Sequence, residues 1–219
     1  MSNPLSIAAV TATLRNLLAS VSIPLVGETN TDLSDTQVTT LPPDKAGQTD
    51  DHNQVNLFLY HVMPNTAARN LDGSGKAGKP PALALDLLYM VTVYGRGSSD
   101  LLAQRLLGRA MSLLHSFPIL MPADIATALP GTDLNNQKDR VRIIQHNISN
   151  EEMVRLWGTF QVKYRLSVMY RAAVVLIDHE VATVDSAPVR SVAVTTNTIA
   201  SATAPPTSSD PTAAGGGAP

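Results

Sequence analysis

Cysteine is absent from the 219 residues, which removes disulfides, thiolate metal ligands and cysteine nucleophiles together. Aromatics are scarce, at 4% with a single tryptophan. Trp157, Tyr164 and Tyr170 therefore read as core residues before any ligand cage is considered. Charge is also sparse: Asp, Glu, Lys and Arg make up 16% of the chain, and the formal net charge is −2. No electrostatic footprint for nucleic acid or an anionic membrane results. Free soluble monomers carry nearer a quarter of their residues charged, so part of this surface is expected to be covered by neighbours in an assembly. Long apolar runs are lacking too. The longest, Leu83 to Val93, is broken by Asp86 and Thr92 and falls short of the roughly 20 residues that span a bilayer. Met1 to Ser6 shows no basic region leading into an apolar one, so we expect cytoplasmic synthesis without a secretory signal.

What remains suits one domain of ordinary size with a tail. Ile7, Val10, Leu14, Leu17, Leu18 and Val21 recur at three- and four-residue steps, the stripe of an amphipathic helix that Pro4 opens and Pro24 ends. A polar stretch from Glu28 to Asn53 follows, with room for a short strand at Gln37 to Leu41. Gln54 to Met63 is β-prone and apolar on both faces, as in a strand covered on two sides, and Pro64 closes it. Asn65 to Pro80 reads as a long loop, a class usually functional or disordered. Ala82 to Tyr94 is the central strand, with Leu83, Leu85, Leu87, Tyr89, Val91 and Val93 on one face.

Ser98-Ser99-Asp100 caps a second helix, whose buried side is expected at Leu102, Leu106, Leu113 and Phe117, with Pro118 and Pro122 as stops. Arg140 to Ile148 reads as a short strand. Ser149 and Glu152 form a capping box opening one or two turns up to Trp157. Gln161 to Ile177 alternates as a long strand, with Val162, Tyr164, Leu166, Val168 and Tyr170 inward and Lys163, Arg165, Ser167 and Arg171 outward. Beyond Asp185 the composition turns to Ala, Thr, Ser, Val and Pro. Residues 185–219 are expected as a flexible tail, in which Val189 to Val194 could still add to a sheet edge. The fold class predicted is α/β of the α+β kind: a mixed sheet of long strands flanked by the two helices.

Catalytic signals are weak. Gly73-Ser-Gly75-Lys-Ala-Gly78 matches a dinucleotide pattern, and Gly73 to Lys79 matches most of a phosphate loop. Both need a strand before and a helix after, and here Pro80-Pro81 and a strand follow, with Pro80 where a magnesium-binding hydroxyl belongs. A nucleotide enzyme stays a remote alternative. His52, His61, His115, His146 and His179 show no metal spacing, Asp51-His52 reads as solvated loop, and Glu151 and Glu152 as helix-dipole partners. No cofactor, metal or catalytic residue is expected. Asp86 stands out inside its apolar strand: it faces solvent, pairs with Arg165 or Arg171, or bonds across a subunit boundary, because a buried unpaired carboxylate costs too much.

Five segments in order resemble one family. They are Leu5 to Leu18 (LSIAAVTATLRNLL), Val55 to Asn65 (VNLFLYHVMPN) with Arg69-Asn70, Pro80 to Gly95 (PPALALDLLYMVTVYG), Leu106 to His115 (LLGRAMSLLH) and Trp157 to Val175. Together they are similar to the cap, or tail-terminator, family of extracellular contractile injection systems, phage-tail-like particles such as the Photorhabdus virulence cassettes and the antifeeding prophage. The likeness spans residues 5 to 180, the globular part expected over 1–184. It implies a structural, non-enzymatic six-subunit ring that ends the inner tube and sheath away from the baseplate. The implied partners are further copies of the chain, tube protein and sheath protein, with neither nucleic acid nor membrane insertion. A baseplate adaptor or tube-initiation protein is the alternative within the same particle. The expected contact residues are Arg69, Lys76 and Lys79 of the loop, with Asp86, Arg165 and Arg171.

Overall fold

Alternating apolar residues in strands that are apolar on both sides force the sheet to be covered on both faces, and helices supply the cover. A computed structural model of the protein describes residues 4–22, 32–49, 51–68, 82–137 and 139–177. The loop residues Arg69, Lys76 and Lys79, the Gly73 to Lys79 pattern, Pro24, His179 and the tail over 185–219 lie outside the described residues. Five strands form one mixed sheet in the order β1-β2-β3-β5-β4. They are β1 Thr36–Thr39, β2 Asn53–Pro64, β3 Leu83–Tyr94, β4 Arg142–Gln145 and β5 Ser167–Ile177. β1 runs parallel to β2, and every other pairing is antiparallel.

Helices α1 (Ser6–Ala19), α2 (Asp100–Ser116) and α3 (Pro122–Ala128) lie on one face. There Val10, Leu14, Leu18, Leu106, Ala110, Leu114 and Ile125 pack against Leu85, Leu87, Tyr89, Val91 and Val93. Tyr89 is fully buried, and its hydroxyl meets Thr11 Oγ1 at 2.8 Å, while Thr11 donates to the Ile7 carbonyl. Burial drives the Tyr89 phenol well above its ordinary pKa, against the opposing effect of the Thr11 bond. Helix α4 (Asn150–Phe160) covers the opposite face with Trp157 over Met90 and Met169, joined by Phe58, Tyr60 and Phe160.

Several elements differ from the sequence expectation, each for a physical reason. Pro122 does not stop α2 but starts α3 at its first turn, where proline's missing N–H costs nothing. On α2 the buried set is Leu106, Leu107, Ala110 and Leu114, whereas Phe117 is 53% exposed and Leu113 half-buried. The helix ends at Ser116, so the apolar stripe stops short of Phe117. α4 runs for 11 residues, longer than one or two turns, because its apolar side continues through Trp157 to Phe160. β4 is shorter than Arg140 to Ile148, and β5 starts at Ser167 rather than Gln161. Tyr164 and Leu166, expected inward, are 58% and 41% exposed in the connection before β5. Leu83, at the end of the central strand's apolar face, is 53% exposed.

The capping box is formed as the sequence spacing requires. Ser149 accepts from Glu152 N, and Glu152 receives the Ser149 amide at 2.8 Å. These bonds hold the Glu152 carboxyl below its ordinary pKa, with the Ser149 backbone bond the main cause. A carboxyl depressed in the folded state stabilises above its unfolded pKa and loses that contribution as pH falls through the folded value. We therefore expect Glu152→Gln to erode α4 near neutral pH but to match the parent in acid, as followed by thermal melts between pH 3 and 7.

Buried amides tie the loops to this sheet. Asn53 donates to the Asp32 carbonyl and accepts from Arg96 N, and Gln54 links Thr39 Oγ1 to Gly47 N. Gln137 acts as a strand would, donating to Val174 O and accepting from Leu176 N where β4 has already ended beside β5. Gly47 adopts a positive φ of 66° with its Cα against the Tyr94 ring, so a side chain there is excluded twice over.

Candidate interaction surfaces

The register of β3 with β5 brings Asp86 and Arg171 together. Two β5 residues, Ala173 and Val174, lie opposite Asp86, which bulges the ladder there. Asp86 is 5% exposed, on the same face as Leu88, across which Arg171 is paired. Arg171 Nη1 lies 3.7 Å from Asp86 Oδ2, and Asn65 Nδ2 donates to Asp86 Oδ1 at 2.9 Å. Of the three settings open to Asp86 in the sequence, the ion pair with Arg171 is the one formed. Arg165 instead lies 5.7 Å from the centroid of the Tyr94 ring, a cation–π arrangement. The sequence reading missed Asn65, whose amide completes the Asp86 site; an Asn directly after the Pro64 that ends β2 was the available signal.

The pair is lopsided, because the carboxylate is buried while 39% of the arginine side chain meets water. Losing the arginine leaves a buried charge with one amide partner, whereas neutralising the acid leaves an arginine that water can hydrate. Arg171→Met is expected to cost about 1–2 kcal/mol, below the figure for a fully buried pair because solvent screens the exposed partner. Asp86→Asn should cost less. Urea denaturation of both variants checks the ordering, and equal losses would show that burial of Asp86 does not govern the pair.

Elsewhere the described surface offers edges and grooves. Phe117, Ile119 and Met121 are 53%, 42% and 54% exposed within five residues. Phe117 and Ile119 line a groove of about 340 Å³ with Leu17 of α1 and Asp124 and Thr127 of α3. A second groove of about 450 Å³ runs between α2 and β4, lined by Met111, His115, Pro118 and Ile143. Among the described residues no three His, Asp or Glu side chains gather as metal ligands, and no helix is long and apolar enough to cross a membrane.

This chain also matches a known family along most of its length: the Pvc16 N-terminal domain matches residues 9–191. The chain belongs to that family. Two solved structures share the Pvc16 domain's fold. One is the PVC sheath/tube terminator of an extracellular contractile injection system in its extended state. The TM-score is 0.56 and the identity 17%, over 90% of this chain and 65% of that one. The other is the anti-feeding prophage cap, a tube-terminating cap, with a TM-score of 0.54 and 17% identity, over 85% of this chain and 60% of that one. The chain therefore spans less than two thirds of either structure's length. No curated protein matches it. The mixed sheet of long strands with helices on its faces is thus the tail-terminator-like fold that the sequence segments resemble.

Proposed function

We propose that the protein is a structural cap of a contractile injection particle: a ring of six copies that ends the inner tube and sheath at the end away from the baseplate, without catalysis. The observation that carries this reading is the shared fold with two terminators, in a chain whose family match covers residues 9–191. The physics of growth supports it. A tube lengthens through heterologous contacts, and a ring that satisfies the last layer while presenting no equivalent site stops the repeat. In this reading the loop cations Arg69, Lys76 and Lys79 contact tube or sheath. The Asp86–Arg171 pair holds the bulge between β3 and β5, and Arg165 stiffens the Tyr94 end of the sheet. The protein works as part of the assembled particle.

Electron cryomicroscopy of particles made with and without the protein tests the proposal. Tubes of uniform length, bearing a ring at the baseplate-distal end and becoming overlong or ragged on deletion, are expected. Unchanged lengths and ends, or density for this chain at the baseplate, would overturn it in favour of a baseplate adaptor or initiator.

A further inference from the structure

An open sheet has two edges, and in this domain both keep backbone groups pointing outward. At one edge β1 is bonded to β2 with Asn53 N donating to Asp35 O. In a parallel ladder the bonding residues alternate, so Gln37 and Thr39 face β2 while Thr36 and Val38 turn their N–H and C=O away. The other edge lies beyond β4. There Leu120 N donates to Val141 O and Ile143 N to Pro118 O, around the bridge between Ile119 and Arg142. A bridge bonded through its neighbours leaves the central residue's own amide and carbonyl outward. Ile119 therefore presents one donor and one acceptor, flanked by the exposed side chains of Phe117 and Met121. Among the described residues no hydrogen-bond partner takes the outward backbone groups of Thr36, Val38 or Ile119.

Exposed edges of this kind template pairing with another chain, and monomers usually blunt them with charge, proline or a covering loop. Neither edge is blunted by charge: β1 reads Thr-Gln-Val-Thr and the outer segment Phe-Pro-Ile-Leu-Met. Pro118 contributes only its carbonyl inward, so it blocks nothing on the outside. The two edges differ in sequence and lie at opposite ends of one sheet, so pairing one with the other is heterologous, the kind of contact that generates a ring when the rotation between copies closes. Pairing like with like would end at a dimer.

We propose that β1 of one copy pairs with the Phe117–Met121 segment of the next, so that the sheets run on from subunit to subunit. The two segments run antiparallel, with the outward N–H and C=O of Val38 bonded to those of Ile119 and Thr36 set opposite Met121, and Phe117, Ile119 and Met121 are covered by the neighbour's β1 and the chain that follows it, including Leu41, itself 41% exposed. This rests on the ring reading above and adds which surfaces close the ring.

The lack of native cysteine makes the contact directly testable by cross-linking the purified full-length chain. Within one copy the two edges are separated by five strand spacings, roughly 24 Å at about 4.8 Å each. A disulfide needs Cα atoms within about 7 Å, so any bond between the edges must join two copies. We expect Val38→Cys with Ile119→Cys, or Thr36→Cys with Met121→Cys, to give an oxidised ladder of multimers on non-reducing gels, while each single cysteine gives none. Adding Ile119→Pro to the Thr36/Met121 cysteine pair, or Val38→Pro to the same pair, removes an outward N–H; Val38→Pro also trims a half-buried side chain that packs on the core. Either should cut cross-linking at least about tenfold, with the melting temperature little changed for Ile119→Pro. Three results would overturn the proposal: no multimers from either double variant, dimers from Ile119→Cys alone, which mean like edges pair, or multimers indifferent to both prolines. Microscopy of particle ends decides the cap reading separately, so a cap whose edges do not cross-link would refute this contact and leave that function standing.

Discussion

Trp157→Ala is expected to cost about 3–5 kcal/mol, the range for removing a large buried aromatic, and to lower the melting temperature by roughly 6–20 °C for a domain of this size. The tryptophan is 3% exposed and is the centre of a small second core, with Met90 and Met169 beneath it. Its ring meets Phe160 and Tyr164 edge-on, at centroid distances of 6.4 and 5.8 Å, and Nε1 donates to Ser167 Oγ at 3.3 Å. Truncation empties the space between α4 and the sheet and leaves Ser167 Oγ without the Trp157 N–H it accepts from. The larger core beneath α1, α2 and α3 does not touch this cluster, so it stays packed. Far-UV circular dichroism melts measure the loss, with Trp157→Phe as a milder control that keeps an aromatic plate over Met90. A loss under 1 kcal/mol for the alanine variant would mean that α4 is held by its capping box and not by this cluster.

That second core also marks where the sequence was legible and where it was not. β2, β3 and the N-terminal helix were readable because period and length agreed: Leu85, Leu87, Tyr89, Val91 and Val93 alternate over a run too long for any other strand assignment. For Asp86 the sequence left open solvent, an arginine such as Arg165 or Arg171, or a subunit boundary, and register chooses between the two arginines, since Arg171 stands across Leu88 while Arg165 precedes β5. Register is a tertiary property that one strand's pattern does not contain. Gln161 to Leu166 shows the converse failure. Its alternation is as clean as that of β5, yet among the described residues no strand pairs with it, and Val162 instead packs onto the Trp157 cluster. The segment after α2 failed for another reason. Phe117, Ile119 and Met121 look like core by composition, and nothing local in the chain says that they sit at an edge.

The amides of β2 were legible as polar residues in an apolar strand, but their purpose was not, and Asn56 gives the second large effect. Asn56 is fully buried and opposite Thr92 of β3. Its side chain works as a peptide group, accepting from Leu41 N at 2.9 Å and donating to Leu41 O at 2.8 Å, while Thr39 Oγ1 donates to Asn56 Oδ1 at 2.8 Å. The amide thus prolongs the β1 pairing past Thr39, where the backbone ladder stops. Asn56→Ala removes three bonds at once and leaves a void inside the sheet. Each unsatisfied buried group costs about 1–3 kcal/mol, but Leu41 is 41% exposed, so water recovers part of the loss. We expect a net cost of about 2–4 kcal/mol. Asn56→Asp should recover little, since a carboxylate still accepts from Leu41 N and Thr39 but cannot donate to Leu41 O, and it places a charge in the sheet. The damage should be local. Amide hydrogen exchange is expected to rise across residues 36–41 while β3 and β5 keep their protection, because those strands pair with each other without β1. Since β1 is one of the two edges assigned to the contact between copies, the same variant should lose self-association before it loses its core. Uniform loss of protection across all five strands would instead make Asn56 a pillar of the whole sheet, and the edge and the core would then be one cooperative unit.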